Sequence, residues 1–193
     1  MTLLLQYSES APDKLLVRTD SYDAIVRHLN ELGVRFERWS AAKPLAADAT
    51  SEQILAAYAG DIARLQQERG YRSADVVRLK RDPADGGWAE KASAARAKFL
   101  DEHTHGEDEV RFFVEGSGMF CLHLGGKVTQ IVCERGDLLS VPGGTKHWFD
   151  MRTDPAFCAI RLFGSEAGWV AAFTGDKIGS GYPSYDQVKQ PQA

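Results

Sequence analysis

The chain has 193 residues, 27 acidic and 23 basic side chains, a formal net charge of -4 and only five histidines. A chain of this length suits one domain and hides about 70% of its unfolded surface on folding, so a core forms without disulfide staples. The acidic balance argues against a dedicated nucleic-acid binder, and no apolar run reaches the roughly 18 residues of a membrane span.

Met1-Thr-Leu-Leu-Leu-Gln is apolar but lacks a basic leader region and a small-residue cleavage site, so it is not expected to act as a signal peptide. After Ser21, Ile25, Val26, Leu29 and Leu32 recur at helical spacing, and Gly33 is the expected stop. Thr50 and Gln53 fit a capping box, followed by an apolar stripe of Ile54, Leu55, Tyr58, Ile62 and Leu65 that Gly70 ends. The β-branched run from Asp75 predicts a strand near 75–80, Asp82-Pro-Ala-Asp-Gly-Gly a loop, and Ala89 to Leu100 a third helix.

From Val110 the texture changes to short strand candidates: Val110-Arg-Phe-Phe-Val, Gly118-Met-Phe-Cys-Leu-His-Leu, Val128-Thr-Gln-Ile-Val, Asp137-Leu-Leu-Ser-Val, His147-Trp-Phe-Asp and Ala159-Ile-Arg-Leu-Phe. Glycines punctuate them, with Gly125-Gly126 a hairpin turn, so this half predicts an antiparallel sandwich or barrel. The tail from Gly179, rich in Ser, Pro, Gln and Tyr, reads as irregular. Cys121, Cys133 and Cys158 show no Cys-x-x-Cys spacing and sit in apolar stretches, which predicts reduced, buried thiols and a cytoplasmic protein.

The strongest chemical signal is Glu102-His-Thr-His-Gly-Glu-Asp-Glu-Val-Arg-Phe-Phe. His103 and His105 have the spacing that puts both rings on one face of an extended chain, and Glu109 has the same parity beyond a short turn that leaves its register open. The Pro142-Gly-Gly turn can deliver His147 to the same point. Three imidazoles and one carboxylate suit a divalent first-row ion such as Fe(II), Ni(II), Mn(II), Co(II) or Zn(II), and an octahedral ion so held keeps two neighbouring positions open. A structural zinc site is usually closed by four ligands and rich in cysteine. Arg111, two positions beyond Glu109, falls on the ligand side, where a guanidinium favours an anionic substrate. Arg161, in an otherwise apolar strand, is a second candidate cation; His28 and His123 lie outside both motifs and read as structural.

The two blocks resemble the paired motifs of the cupin superfamily: His103-x-His105, Glu109 and Gly116 in the first, Gly136, Pro142-x-Gly144 and His147 in the second. Ala97 stands where the general first motif has glycine, and Met151 where the second often has asparagine. A finer resemblance is to the acireductone dioxygenase family. It is carried by Glu102-His-Thr-His, Glu107-Asp-Glu-Val-Arg-Phe-Phe, Val141-Pro-Gly-Gly-Thr-Lys-His-Trp-Phe-Asp, Ile160-Arg-Leu-Phe, Gly168-Trp169 and Ala172-Phe-Thr-Gly, from about Gly70 to Gly175.

The resemblance implies a mainly β chain: a cupin double-stranded β-helix, or jelly-roll barrel, with an N-terminal α-helical extension. Residues 1–100 would form the extension, 101–175 the metal-binding barrel joined by the strand near 75–80, and 176–193 an irregular tail. It implies one Fe(II) or Ni(II) ion per chain, and 1,2-dihydroxy-5-(methylthio)pent-1-en-3-one cleaved with dioxygen in methionine salvage. In the family, iron gives 4-methylthio-2-oxobutanoate and formate, and nickel gives 3-methylthiopropanoate, formate and carbon monoxide. It further implies a role for Glu102 in metal loading, for Asp108 in relaying local change, and for Phe99, Phe149 and Trp169 around the substrate, in a monomer without nucleic-acid or membrane partners. Another cupin oxygenase or isomerase, and a non-catalytic metal-binding cupin, are the competing readings.

Overall fold

The structure is a computed structural model that describes residues 1–81, 84–165 and 167–189. In chain order its elements are β1 (Leu3–Ser8), β2 (Ala11–Thr19), α1 (Tyr22–Asn30), β3 (Arg35–Arg38), α2 (Ser51–Ala57), α3 (Ala59–Arg69), β4 (Ser73–Leu79) and α4 (Trp88–Leu100). There follow β5 (His103–Thr104), β6 (Glu109–Leu124), β7 (Lys127–Glu134), β8 (Asp137–Val141), β9 (Lys146–Asp150), β10 (Phe157–Phe163), β11 (Ala172–Phe173), a 3-10 turn (Ile178–Gly181) and α5 (Tyr185–Val188).

All strand pairings are antiparallel, and β6 organises them. Its first half pairs with β8 and β10, which extend to β3 and β4; its second half pairs with β7 and β9, which extend to β1–β2 and to β5–β11. The strand passes from one sheet to the other at Gly116, whose φ of +62° suits glycine. A Cβ there would stand 1.8 Å from the Ala156 carbonyl oxygen, so only hydrogen fits.

Apolar residues of both sheets meet in one core, among them Leu4, Phe113, Phe120, Leu122, Ile131, Leu139, Phe149 and Phe157, closed at one end by Ile25 and Leu29 of α1. The α2–α3 pair covers the outer face of the β8–β6–β10 sheet, where Tyr58 meets Phe112 edge to face. The capping box at Thr50 and Gln53 starts α2, and the stripe from Ile54 to Leu65 is broken at Tyr58 into two helices.

Two regions differ from the sequence reading. Residues 1–100 hold four helices and also four strands. Three of them, β1, β3 and β4, pair with strands of the second half of the chain: β7, β8 and β10. β1 escapes period-2 reading because Leu4 enters the common core while Leu3, Leu5 and Tyr7 pack on the other face. Most of the expected irregular tail is ordered: Ser184 and Gln187 form a capping box, and Tyr182, Tyr185 and Val188 cover Met119, Cys121 and Trp148. Asp82 and Pro83 of the expected loop, and residues 190–193 of the tail, lie outside the described residues.

Candidate metal centre

Two turns bring the motif blocks together. In the β-ladder His103 of β5 lies directly opposite His147 of β9, and His147 is also opposite Leu122 of β6. The Pro142-Gly-Gly turn fastens to the first block: Gly144 N–H donates to the His105 carbonyl at 2.8 Å, and Gly143 N–H donates to Asp108 Oδ1 at 2.9 Å. A Cβ on Gly143 would come within 3.1 Å of the Glu107 backbone, so glycine lets the blocks approach without displacing that backbone.

His103, His105 and His147 are all buried, and one nitrogen of each lies within 4.8 Å of the others. Each ring is oriented through Nδ1, toward the Asp101, Val170 and Thr145 carbonyls at 2.8, 3.1 and 2.9 Å. A carbonyl oxygen only accepts, so each Nδ1 carries a proton and turns Nε2 toward the other two rings, the nitrogen that would offer its lone pair to a bound ion. Glu109 Oε2 stands 3.1 Å from His147 Nε2 and 3.3 Å from His105 Nε2. The three imidazoles thus share one point, and Glu109 Oε2 borders it beside His105 and His147, a set of donors that suits a divalent cation. Backbone carbonyls on the opposite nitrogen are the usual supports of ligating histidines. The donor set fits such an ion.

Charge is asymmetric here. Burial, aided by the neighbouring His147, pushes the His103 imidazole down to about 4, so it is a neutral donor at physiological pH. Burial opposes the charge of Glu109, but Arg111 and the two histidines outweigh it and hold the carboxyl well below its ordinary range. Arg111 donates from Nε to Glu109 Oε1 and is itself buried. One carboxylate oxygen therefore faces the guanidinium and the other faces the imidazoles.

A family model described as ARD/ARD' family matches residues 4–171. The chain belongs to this family. It is 54% identical over 183 residues to an acireductone dioxygenase of Pseudomonas paraeruginosa, spanning 95% of this chain and 98% of the relative. It is 50% identical over 186 residues to acireductone dioxygenase 2 of Pectobacterium atrosepticum, spanning 96% and 99%. The fold superposes with a TM-score of 0.74 on an acireductone dioxygenase from Bacillus anthracis that holds a cadmium ion in its active centre, at 29% identity over 90% of this chain and 98% of that one.

Within this ARD-family chain the other expected residues fall into distinct settings. Arg111 lies under the rings of Phe120 and Phe149, each centroid 5.7 Å from its guanidinium carbon. Arg161 is the register partner of both Arg111 and Asp75, and its Nε and Nη2 are held by the Asp75 carboxylate. Phe149 is a core residue against Phe113, Phe120 and Phe157, and Phe99 meets it edge to face from α4. Trp169 is 58% exposed on the outer rim. Glu102 is buried against His123 and Thr174. His28 faces Glu31 on α1.

Aromatic neighbours that the sequence reading did not single out are Phe163, 5.7 Å from the His105 ring, and Phe173, 5.7 Å from the His103 ring. Glu107, also missed in that reading, accepts from Ser165 N–H and Oγ, fastening the loop after β10. Phe163 has the parity of Arg161, which was the available signal; Phe173 gave none, because β11 is two residues long.

Proposed function

We infer that the chain is an acireductone dioxygenase of methionine salvage, holding Fe(II) or Ni(II) through His103, His105, His147 and Glu109. The observation that carries this reading is the buried cluster of three oriented imidazoles, with the Glu109 carboxylate against two of them, within a family whose named members are acireductone dioxygenases. A bound ion supplies a Lewis acid and a template for two oxygens of the ene-diol substrate. In this reading the iron form yields the keto acid and formate, and the nickel form the shorter acid, formate and carbon monoxide.

The chain's own residues do the rest. Arg111, charged and desolvated, favours the anionic form of the substrate and keeps Glu109 ionised for the metal. Asp75 holds two guanidinium nitrogens of Arg161 beside Arg111 and compensates its charge, so Arg161 would meet the substrate as one half of an ion pair. Phe163 and Phe173 wall the histidines, and Trp169 and Val170 present exposed apolar side chains on the segment whose Val170 carbonyl faces His105. Glu102 and Asp108 act as supports through Thr174 and Gly143. Phe99 and Phe149 shape the floor from within the core. Three free, buried cysteines accord with a reducing cytoplasm, and we assign the working unit as a monomer.

The test is anaerobic reconstitution with Fe(II) or Ni(II), followed by admission of oxygen and measurement of acireductone loss and products. Oxygen-dependent turnover is expected. Absence of turnover with both metals overturns the reading, and His103→Ala or His147→Ala that still hold metal overturn the ligand assignment.

A further inference from the structure

His123 lies on the second half of β6, outside both motif blocks, yet its ring joins three segments of the chain. Nδ1 is 2.5 Å from Glu102 Oε1 and Nε2 is 3.1 Å from Glu9 Oε1. Ionised carboxylates only accept, so both nitrogens carry protons and the ring is an imidazolium. Burial opposes that charge, but the bonds to Glu102 and Glu9 outweigh it and raise the His123 pKa. The ring is 8% exposed and Glu102 1%, whereas Glu9 is 45% exposed, so the bond to Glu102 is the shielded one.

Glu102 continues the connection. Its Oε2 accepts from Thr174 Oγ1 at 2.7 Å, and its backbone carbonyl accepts from Thr174 N–H at 3.0 Å. The next residue in the chain is His103, and Thr174 directly follows β11, whose pairing with β5 has only two register positions. Phe173 of β11 packs against the His103 ring and is itself 56% exposed. So short a ladder has little cooperativity of its own, and the Glu102–Thr174 bonds fasten this rim at the residue next to His103, alongside the contact of His105 with the Val170 carbonyl.

We propose that His123 is a positioning residue of the metal centre: it locks Glu102 to β6, and Glu102 fixes both the His103 segment and the rim strand that lies over it. The proposal rests on the reading of His103 as a metal ligand. It separates the two ring nitrogens by task, with Nδ1 anchoring the centre and Nε2 making an exposed contact with little influence on it.

Two substitutions divide those tasks. His123→Asn puts an amide N–H close to the place of Nδ1 and keeps the bond to Glu102. His123→Gln puts one close to the place of Nε2, keeps the contact with Glu9 and leaves Glu102 without its partner. Co(II) affinity, followed by its visible absorption, and amide exchange at Thr174 are measured for both variants and the wild type. Losing a support behind a ligand weakens metal binding by about 10- to 100-fold, and that loss is expected for His123→Gln, with His123→Asn staying within about threefold of wild type. Thr174 protection should follow the same order. Wild-type affinity and protection in His123→Gln overturn the proposal, as does equal impairment of both variants, which signifies general packing. A wild-type protein that fails to bind Co(II) overturns the metal-centre reading and this proposal together, whereas normal wild-type binding with unaffected variants overturns the proposal alone.

Discussion

Replacing Arg111 with methionine separates two roles of one side chain. In the metal-free protein Arg111 is the buried cation that balances Glu109, and both groups are almost fully excluded from solvent. Methionine fills a similar volume but leaves the carboxylate uncompensated, a change that costs about 3–5 kcal/mol. For a chain of this size each kcal/mol moves the melting temperature by roughly 2–4 °C, so metal-free Arg111→Met should melt about 6–20 °C below metal-free wild type. On the proposed ligand set a divalent ion would neutralise the same carboxylate from its other side, so the gap should narrow on loading with Co(II) or Ni(II). Calorimetry with chelator and with metal measures both gaps. Activity of the loaded variant should still fall by about 100-fold or more, because the positive charge that favours the substrate anion is gone. Equal melting losses with and without metal, or a metal-free loss below about 1 kcal/mol, refute the reasoning.

Asp150 accepts from the Arg96 guanidinium, the Tyr185 amide and the Arg152 amide; burial opposes its ionisation, but these bonds outweigh it and lower its pKa. A depressed carboxyl stabilises the fold above its unfolded pKa and loses that contribution as pH falls toward the folded value. The stability gap between wild type and Asp150→Asn should therefore be full at neutral pH and shrink below about pH 4; denaturant melts across pH measure it, and a gap that widens in acid contradicts the assignment. Gly116→Ala should cost about 3 kcal/mol or more, since it puts a Cβ against the Ala156 carbonyl at positive φ; an unchanged urea midpoint would count against the pinned crossing of β6. Tyr185→Phe removes the bond between its hydroxyl and Ser117 Oγ at 2.7 Å and should cost about 1 kcal/mol by the same assay, a neutral result showing that the tail is not held there.

The convergence at the metal centre was legible because its determinants are local. Alternation put His103 and His105 on one face, Glu109 and Arg111 share a face of β6 beyond the bend at Gly106-Glu107, and the Pro142-Gly-Gly turn accounted for His147. The three helical periodicities and the strands after Val110 also read directly from spacing. What escaped is what depends on distant partners. β1 carries apolar side chains on both faces because the common core covers one and the C-terminal segment the other, so no period of two marks it. Arg161 reads as a free cation until β4 brings Asp75 beside it. Phe149 follows a ligand and reads as a pocket wall, whereas its contacts place it chiefly in the core. His123 reads as structural because neither Glu9 nor Glu102 is near it in sequence. The tail looked irregular from composition, yet two tyrosines and one valine anchor it.

The shared strand β6 carries Glu109 and Arg111 at one end and His123 at the other, with β8 and β10 on one stretch and β7 and β9 on the next. A slip of one residue along such a strand reverses which face every side chain occupies. Glu109 would then leave the histidines, and Arg111 would leave the core, in the same error. On the proposed ligand set, chains that refold with the wrong β6 register would forfeit the carboxylate as well as the core, so a purification step that selects metal-loaded protein would also select correctly threaded molecules.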